Sequence, residues 1–299
     1  MTWLKKNRQA LLRWGGTLLS FVLLAALVSI YREDVLAALR RVTLANLLLA
    51  FGCLLLSRLS NVARWHTLLR SGGVPIALKD TAALTFTGLF ANNFLPTTIG
   101  GDVVRLAGAM QMGYDRAVCL ASLAADRLVN LTGMCLAAPL GIYQLFQLTP
   151  LAATPSLALG GLIQKGWDFL RRTLASLTLW LRQPWALLRA LFFAWGNLLF
   201  VAAAYYFLIR GLGEYLPYWR IIGLVSLSYF ITSIPLSING YGLHELTGTA
   251  IFSQIGGISI PVSAVVVVLQ RLLMVSASTP GAFFLPGVLS KMDRSEQKT

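Results

Sequence analysis

Asp102, Asp126 and Glu245 are carboxylates set among apolar residues, and Arg105, Arg127 and Arg271 stand in the same surroundings. Asp126-Arg127 lies about ten residues into the apolar stretch Ala117–Leu148, roughly 15 Å along a helix axis. A charge at that depth in a bilayer costs about 3 kcal/mol, so it has to face a partner or a watery cavity. Two chemistries fit. One is a structural ion pair between an acid and an arginine. In the other the arginines receive an anion, and the acids balance them when the site is empty or carry a coupling proton. Arginine suits the second task, because its planar guanidinium presents several donors in a fixed fork. Ser122, Asp126 and Asn130, spaced i, i+4 and i+8, predict a polar stripe on one helix face, with Arg127 about a quarter-turn away.

The backbone around these charges repeats. Pro96-x-x-Ile99-x-Gly101 matches Pro235-x-x-Ile238-x-Gly240, and the same register sets Arg105 on His244. Each copy precedes an apolar helix with an arginine in its interior, Asp126-Arg127 in one and Gln270-Arg271 in the other. Proline removes a backbone donor and glycine tolerates unusual dihedrals, so Pro96, Gly100 and Gly101, and then Pro235, Asn239, Gly240 and Gly242, predict two broken helices. Broken backbone at membrane depth is tolerated only inside protein or along a cavity. Paired breaks in matching halves mark the substrate site of many transporters. Gly100-Gly101-Asp102 also predicts the start of a short helix with Asp102 near its N-cap, and a helix N-terminus attracts phosphate. A pair of ordinary surface loops is the plainer alternative.

Composition says what must position these residues. The chain is 57% hydrophobic and 12% charged, where soluble domains run near a quarter charged. Apolar stretches occur at Trp14–Tyr31, Leu44–Leu59, Leu84–Leu95, Ala117–Leu148, Ala186–Ile209, Trp219–Leu236 and Pro261–Leu285. They are continuous rather than alternating, which favours helices over a barrel. The fold class expected is an all-α, polytopic membrane protein, 1–299 as one membrane domain, with about seven or eight transmembrane helices and two re-entrant motifs. The halves of the repeat fall at 80–148 and 218–286. Three intervening spans would make it inverted, the first motif entering from outside and the second from the cytoplasm.

The formal charge of +14 does not point to nucleic acid, because the basic residues cluster at the ends of apolar runs, as cytoplasmic loops do. Lys5, Lys6, Arg8 and Arg13 place the N-terminus inside, ahead of an uncleaved first span with no small-residue cleavage site. The basic tail (Lys291, Arg294, Lys298) also belongs inside, so an even number of crossings is expected and Leu243–Gly256 is the candidate for the eighth. Thr149–Ile163 is too broken to count, and 164–189 predicts an amphipathic segment on the cytoplasmic surface. Arg58, Arg64 and Trp65 close the second span and read as interfacial, with His66 beside them.

Cys53, Cys119 and Cys135 are odd in number and widely spaced in apolar segments, which argues against disulfides or a metal site. No phosphate-binding Gly-x-x-x-x-Gly-Lys-Ser/Thr loop, Asp-x-Asp, zinc spacing or Gly-x-Ser-x-Gly elbow occurs. His244-Glu245 alone is a weak sign of catalysis or metal binding. Neither enzyme activity nor a cofactor is expected.

With these residues in hand, the chain resembles the lysylphosphatidylglycerol synthase transmembrane-region family, also called the flippase-domain family. The resemblance rests on Arg58…Arg64-Trp65, Leu95-Pro96…Gly100-Gly101-Asp102…Arg105, Asp126-Arg127, and Ser237-Ile238-Asn239-Gly240-Tyr241-Gly242…Glu245, and it covers about Leu44 to Leu285. It implies a bacterial or archaeal cytoplasmic membrane and a part in moving lipid between leaflets. It does not imply aminoacyl transfer, because the sequence ends about fourteen residues after Leu285 with no soluble synthase domain. His244 stands where the family often has arginine. The function expected is leaflet-to-leaflet movement of an anionic or phosphate-bearing lipid. Arg105, Arg127 and Arg271 would hold the phosphate, and Asp102, Asp126, Glu245 and His244 would balance charge or carry a proton. The partners expected are membrane lipids and a lipid-synthesising enzyme. The alternatives are a membrane-embedded enzyme acting on a lipid carrier, with His244 and Glu245 as acid and base, and an accessory subunit of lipid or polysaccharide assembly.

Overall fold

The computed structural model describes residues 29–95, 100–148, 183–232 and 242–284, together with Val22 and Ala26. Every regular element among them is helical: α1 (Arg32–Arg41), α2 (Leu44–Ser71), α3 (Leu78–Asn92), α4 (Gly100–Gln111), α5 (Arg116–Leu148), α6 (Pro184–Gly211), α7 (Tyr218–Thr232), α8 (Leu243–Ala250, continued by a π turn, Ile251–Ile255) and α9 (Ile260–Ser278). Four helices are long and apolar enough to cross a membrane: Leu44–Ser71, Arg116–Leu145, Pro184–Gly211 and Ile260–Phe284. The chain is a multi-pass helical membrane protein. The Trp14–Tyr31 span and the breaks at Pro96, Pro235, Asn239 and Gly240 lie outside the described residues.

Local signals set the helix ends. Thr43 caps α2 by accepting from the Asn46 amide, Pro184 and Pro261 open α6 and α9 from within the first turn, and Asp115 Oδ1 accepts from the Val118 amide at the start of α5. Gly73 and Gly213, with φ of 88° and 84°, turn the chain out of α2 and α6. An L side chain resists that left-handed conformation.

Helix α2 is the spine. Ser57 Oγ donates to Asn197 Oδ1 at 2.5 Å, and the Cα of Gly211 approaches Asn46 so closely that a Cβ there would lie 2.9 Å from its side chain. Start therefore meets end, and α2 and α6 run antiparallel. Helix α5 also runs against α2: Trp65 bonds Ser122, Arg64 bonds Asp126 and Asn130, and Val118 sits beside Gly72. Helices α5 and α6 thus point the same way. Of the amphipathic segment expected at 164–189, residues 164–182 lie outside the described residues, and the rest, from Pro184, opens α6.

The expected third span is also different. Helix α3 has 15 residues, about 22 Å, short of a crossing, and α4 folds back along it. The Gly101 amide donates to Asn92 Oδ1 at 3.1 Å, a Cβ on Gly101 would lie 2.4 Å from the Gly88 carbonyl oxygen, and Leu84 shares a core cluster with Ala109. Helix α7, likewise 15 residues, is followed by a second returning arm: Arg220 Nη2 donates to the Ile255 carbonyl at 3.1 Å. Leu243–Gly256 therefore returns toward the start of α7 instead of crossing. Gly101→Ala is expected to force α3 and α4 apart and destabilise the protein by about 1–3 kcal/mol, as overpacked cores do; an unchanged melting temperature would contradict this packing.

Candidate functional site

Arg58 sits at the middle of the 28-residue α2 rather than at its end, and Arg64 and Trp65 are buried inside the protein. Their interfacial placement is corrected. The hydropathy of Leu44–Leu59 fades at Arg58, but the helix runs on, because the stripe on α5 supplies partners for Arg64 and Trp65. Arg64 grips Asp126 with both ends of its fork, Nε to Oδ1 at 2.7 Å and Nη2 to Oδ2 at 3.2 Å, while Nη1 donates to Asn130 Oδ1 at 2.7 Å. Trp65 Nε1 donates to Ser122 Oγ at 3.1 Å. All three stripe residues thus face α2.

Helix α4 feeds the same cluster. Asp102, in the first turn of α4, accepts from Arg105 at 3.1 Å and from Arg127 Nε. Arg105 reaches Asp126 Oδ2 at 3.4 Å and lies over the Trp65 ring, 4.0 Å from its centroid, within range of a cation–π attraction. Three arginines (Arg64, Arg105, Arg127) and two carboxylates (Asp102, Asp126) form one chain. Arg127, with 45% of its side chain exposed, is its most exposed member.

Helix α8 builds a sparser cluster. Gly242, at φ 76°, opens α8. Glu245 in its first turn meets Arg271 Nε of α9 at 3.6 Å, as Asp102 meets Arg127. His244 Nε2 lies 3.5 Å from the Tyr205 hydroxyl, and the Tyr205 ring stacks on Phe252 with centroids 4.9 Å apart. Tyr205 follows Pro184 by the same interval as Trp65 follows Leu44, so an aromatic residue of each long helix touches the basic residue of each short one. The pairings Arg127–Asp102 and Arg271–Glu245 bring together residues that the sequence marked separately. Gly100, Gly101 and Gly242 lie at the starts of α4 and α8.

Sequence reasoning missed Arg58 and Arg64 as members of these clusters, Asn92 as the group satisfying the α4 amide, and Tyr205. The stripe on α5 was the available signal, since it required donors on a neighbouring helix. A cavity of about 690 Å³ lies away from both clusters, between the end of α2 and the start of α6, lined by His66, Arg70, Trp185 and Arg189 among others. The cavity stands at helix ends, whereas Arg127 and Arg271 stand in the interiors of α5 and α9.

No curated protein matched the chain. The family model described as the lysylphosphatidylglycerol synthase TM region matches residues 13–164, just over half of the 299, including α2, the first hairpin with Asp102 and Arg105, and the Asp126-Arg127 helix. The chain belongs to the lysylphosphatidylglycerol synthase transmembrane-region family.

Proposed function

We propose that the protein moves an anionic or phosphate-bearing lipid between the leaflets of a bacterial or archaeal cytoplasmic membrane, through a pair of inverted half-sites. The family ties the chain to membrane lipids. The observation that carries the finer reading is the doubled device at mid-helix depth, an acid in the first turn of a short helix paired with an arginine of the next long helix. Arginines so placed would exchange a carboxylate for a lipid phosphodiester, with Asp102 and Glu245 holding the charge while the site is empty. Acyl chains would remain in the bilayer.

Three features support an inverted repeat. Helices α2 and α6 both have 28 residues, and α3 and α7 both have 15. Their starts, 44 and 184, then 78 and 218, stand 140 positions apart. The matched long helices pack antiparallel, so the hairpins open toward opposite ends of α2. If the N-terminus is cytoplasmic, the first hairpin opens inside and the second outside, the reverse of the order expected from counting Leu84–Leu95 as a span. Lys79→Cys and Trp219→Cys, at matched hairpin starts, are expected to react with impermeant reagent from opposite sides, Lys79→Cys from the cytoplasm. Labelling from one side would overturn the inversion.

A second reading draws on the tight pairing of the first cluster, which suits a scaffold subunit of lipid assembly. Lipid exchange by the purified protein decides between them: a scaffold leaves the exchange rate of empty vesicles unchanged.

A further inference from the structure

Arg58 differs from every other charged residue at mid-depth. It stands at the midpoint of α2 and is 8% exposed. No carboxylate lies within ion-pair distance of it among the described residues. Its Nη2 makes one long contact, 3.5 Å, with the Met274 carbonyl of α9, and its buried Nε has no hydrogen-bond partner. A guanidinium does not shed its proton in proteins, and a buried charge persists when something compensates it. Instead, the α9 carbonyl that Arg58 touches, that of Met274, stands three residues from Arg271, on the same side of α9 as that second cation.

The two clusters handle their surplus differently. In each, arginines outnumber carboxylates by one. In the first, the extra charge is delocalised over a bonded chain that includes the exposed Arg127. In the second, Glu245 faces Arg271 and the surplus is Arg58 itself, buried and without a counter-ion among the described residues. Glu245 Oε2 is also buried without a partner, so the carboxylate has not been drawn over to Arg58. Leu59 and Leu272, the residues next in sequence to Arg58 and Arg271, are more than half exposed. Exposed apolar side chains therefore flank both cations in sequence on α2 and α9.

We infer that Arg58, with Arg271 beside it, is the principal anion-binding residue of the protein, and that its ligand is the phosphodiester of a membrane lipid whose acyl chains lie along α2 and α9. This rests on the lipid reading above and moves the centre of recognition from the first cluster, where Arg105 is already held by two carboxylates, to the second. An incoming phosphate would accept from the free Nε and from Nη2, supplying the missing counter-charge through the two-donor geometry that guanidinium favours.

The test is direct binding to purified protein in detergent, read as a shift in melting temperature. Phosphatidylglycerol is the probe, with diacylglycerol (no phosphate) and inorganic phosphate (no acyl chains) as comparisons. Phosphatidylglycerol is expected to raise the melting temperature of the wild type, while the two comparisons leave it unchanged. Arg58→Gln should abolish the shift and Arg58→Lys should retain part of it. Arg210→Gln, on α6 outside both clusters, should retain it all. The inference is overturned if Arg58→Gln keeps the full shift, if the wild type shows none, or if inorganic phosphate alone reproduces the Arg58-dependent shift. Should Arg58→Gln fail to fold, Arg58→Lys decides: a reduced shift supports the assignment and a full one refutes it. Leaflet exchange on the same preparations separates the two claims. Arg58-dependent binding without exchange sinks transport alone, and exchange indifferent to Arg58 sinks the assignment alone.

Discussion

Asp126→Ala is expected to destabilise the folded protein by about 3–5 kcal/mol, the range seen when one partner of a buried ion pair is removed. Asp126 accepts from Arg64 through both oxygens and from Arg105 through one, and it is 4% exposed. Removing it leaves two guanidinium groups facing each other across α2, α4 and α5 with Asp102 as the remaining carboxylate. Asp126→Asn should fall between, since the amide oxygen can still accept one bond. Replacing Arg64 by Met alongside Asp126→Ala should recover part of the loss, because the charge stranded by the first substitution is then gone. Thermal unfolding in detergent measures all of these. A melting temperature of Asp126→Ala within a degree of wild type would mean that the first cluster is not what joins the hairpin to α2 and α5.

The Arg127→Gln, Arg271→Gln double variant is expected to fold and to lose leaflet exchange by at least about tenfold, which corresponds to roughly 1.4 kcal/mol of differential binding. Folding survives at the first position because Asp102 keeps its bond to Arg105 and because Arg127 is half exposed. Arg127→Lys and Arg271→Lys should each restore only part of the exchange, a point charge replacing a fork. If these arginines serve structure alone, exchange will fall only in proportion to the folded protein recovered. Stability and exchange measured on one preparation separate the two outcomes, and normal exchange in a well-folded double variant would remove both arginines from the site.

The chemistry of the site is easier to read from sequence than its scaffold. Acids and arginines are so expensive in hydrocarbon that Asp102, Asp126, Arg127, Glu245 and Arg271 stand out without any structure, and the Pro-x-x-Ile-x-Gly repeat falls just where the short helices α4 and α8 begin. What fails is depth. Hydropathy ends a span where charge begins, which sets Arg58 and Arg64 at an interface; the helix carries them inward because Asp126 and Asn130 meet Arg64 there. Leu84–Leu95 and Trp219–Leu236 are apolar enough to pass for spans, yet a 15-residue helix followed by Gly100 or Gly242 turns back, and hydropathy holds no information on direction. That error propagates into the order of the two motifs. The equal lengths of α2 and α6, once their ends are known, reveal the repeat more clearly than the short motif does. Length is set by where Gly73 and Gly213 turn the chain, and neighbouring apolar residues hide those turns.

Leaflet exchange of fluorescent phosphatidylglycerol in proteoliposomes of the purified protein, followed by quenching of the outer leaflet, tests lipid movement most directly. Wild-type vesicles should expose the inner-leaflet probe at least about tenfold faster than protein-free vesicles and than vesicles holding the Arg127→Gln, Arg271→Gln variant. Equal rates in all three preparations, with the wild type shown to be folded, would contradict a lipid-moving function for the paired half-sites.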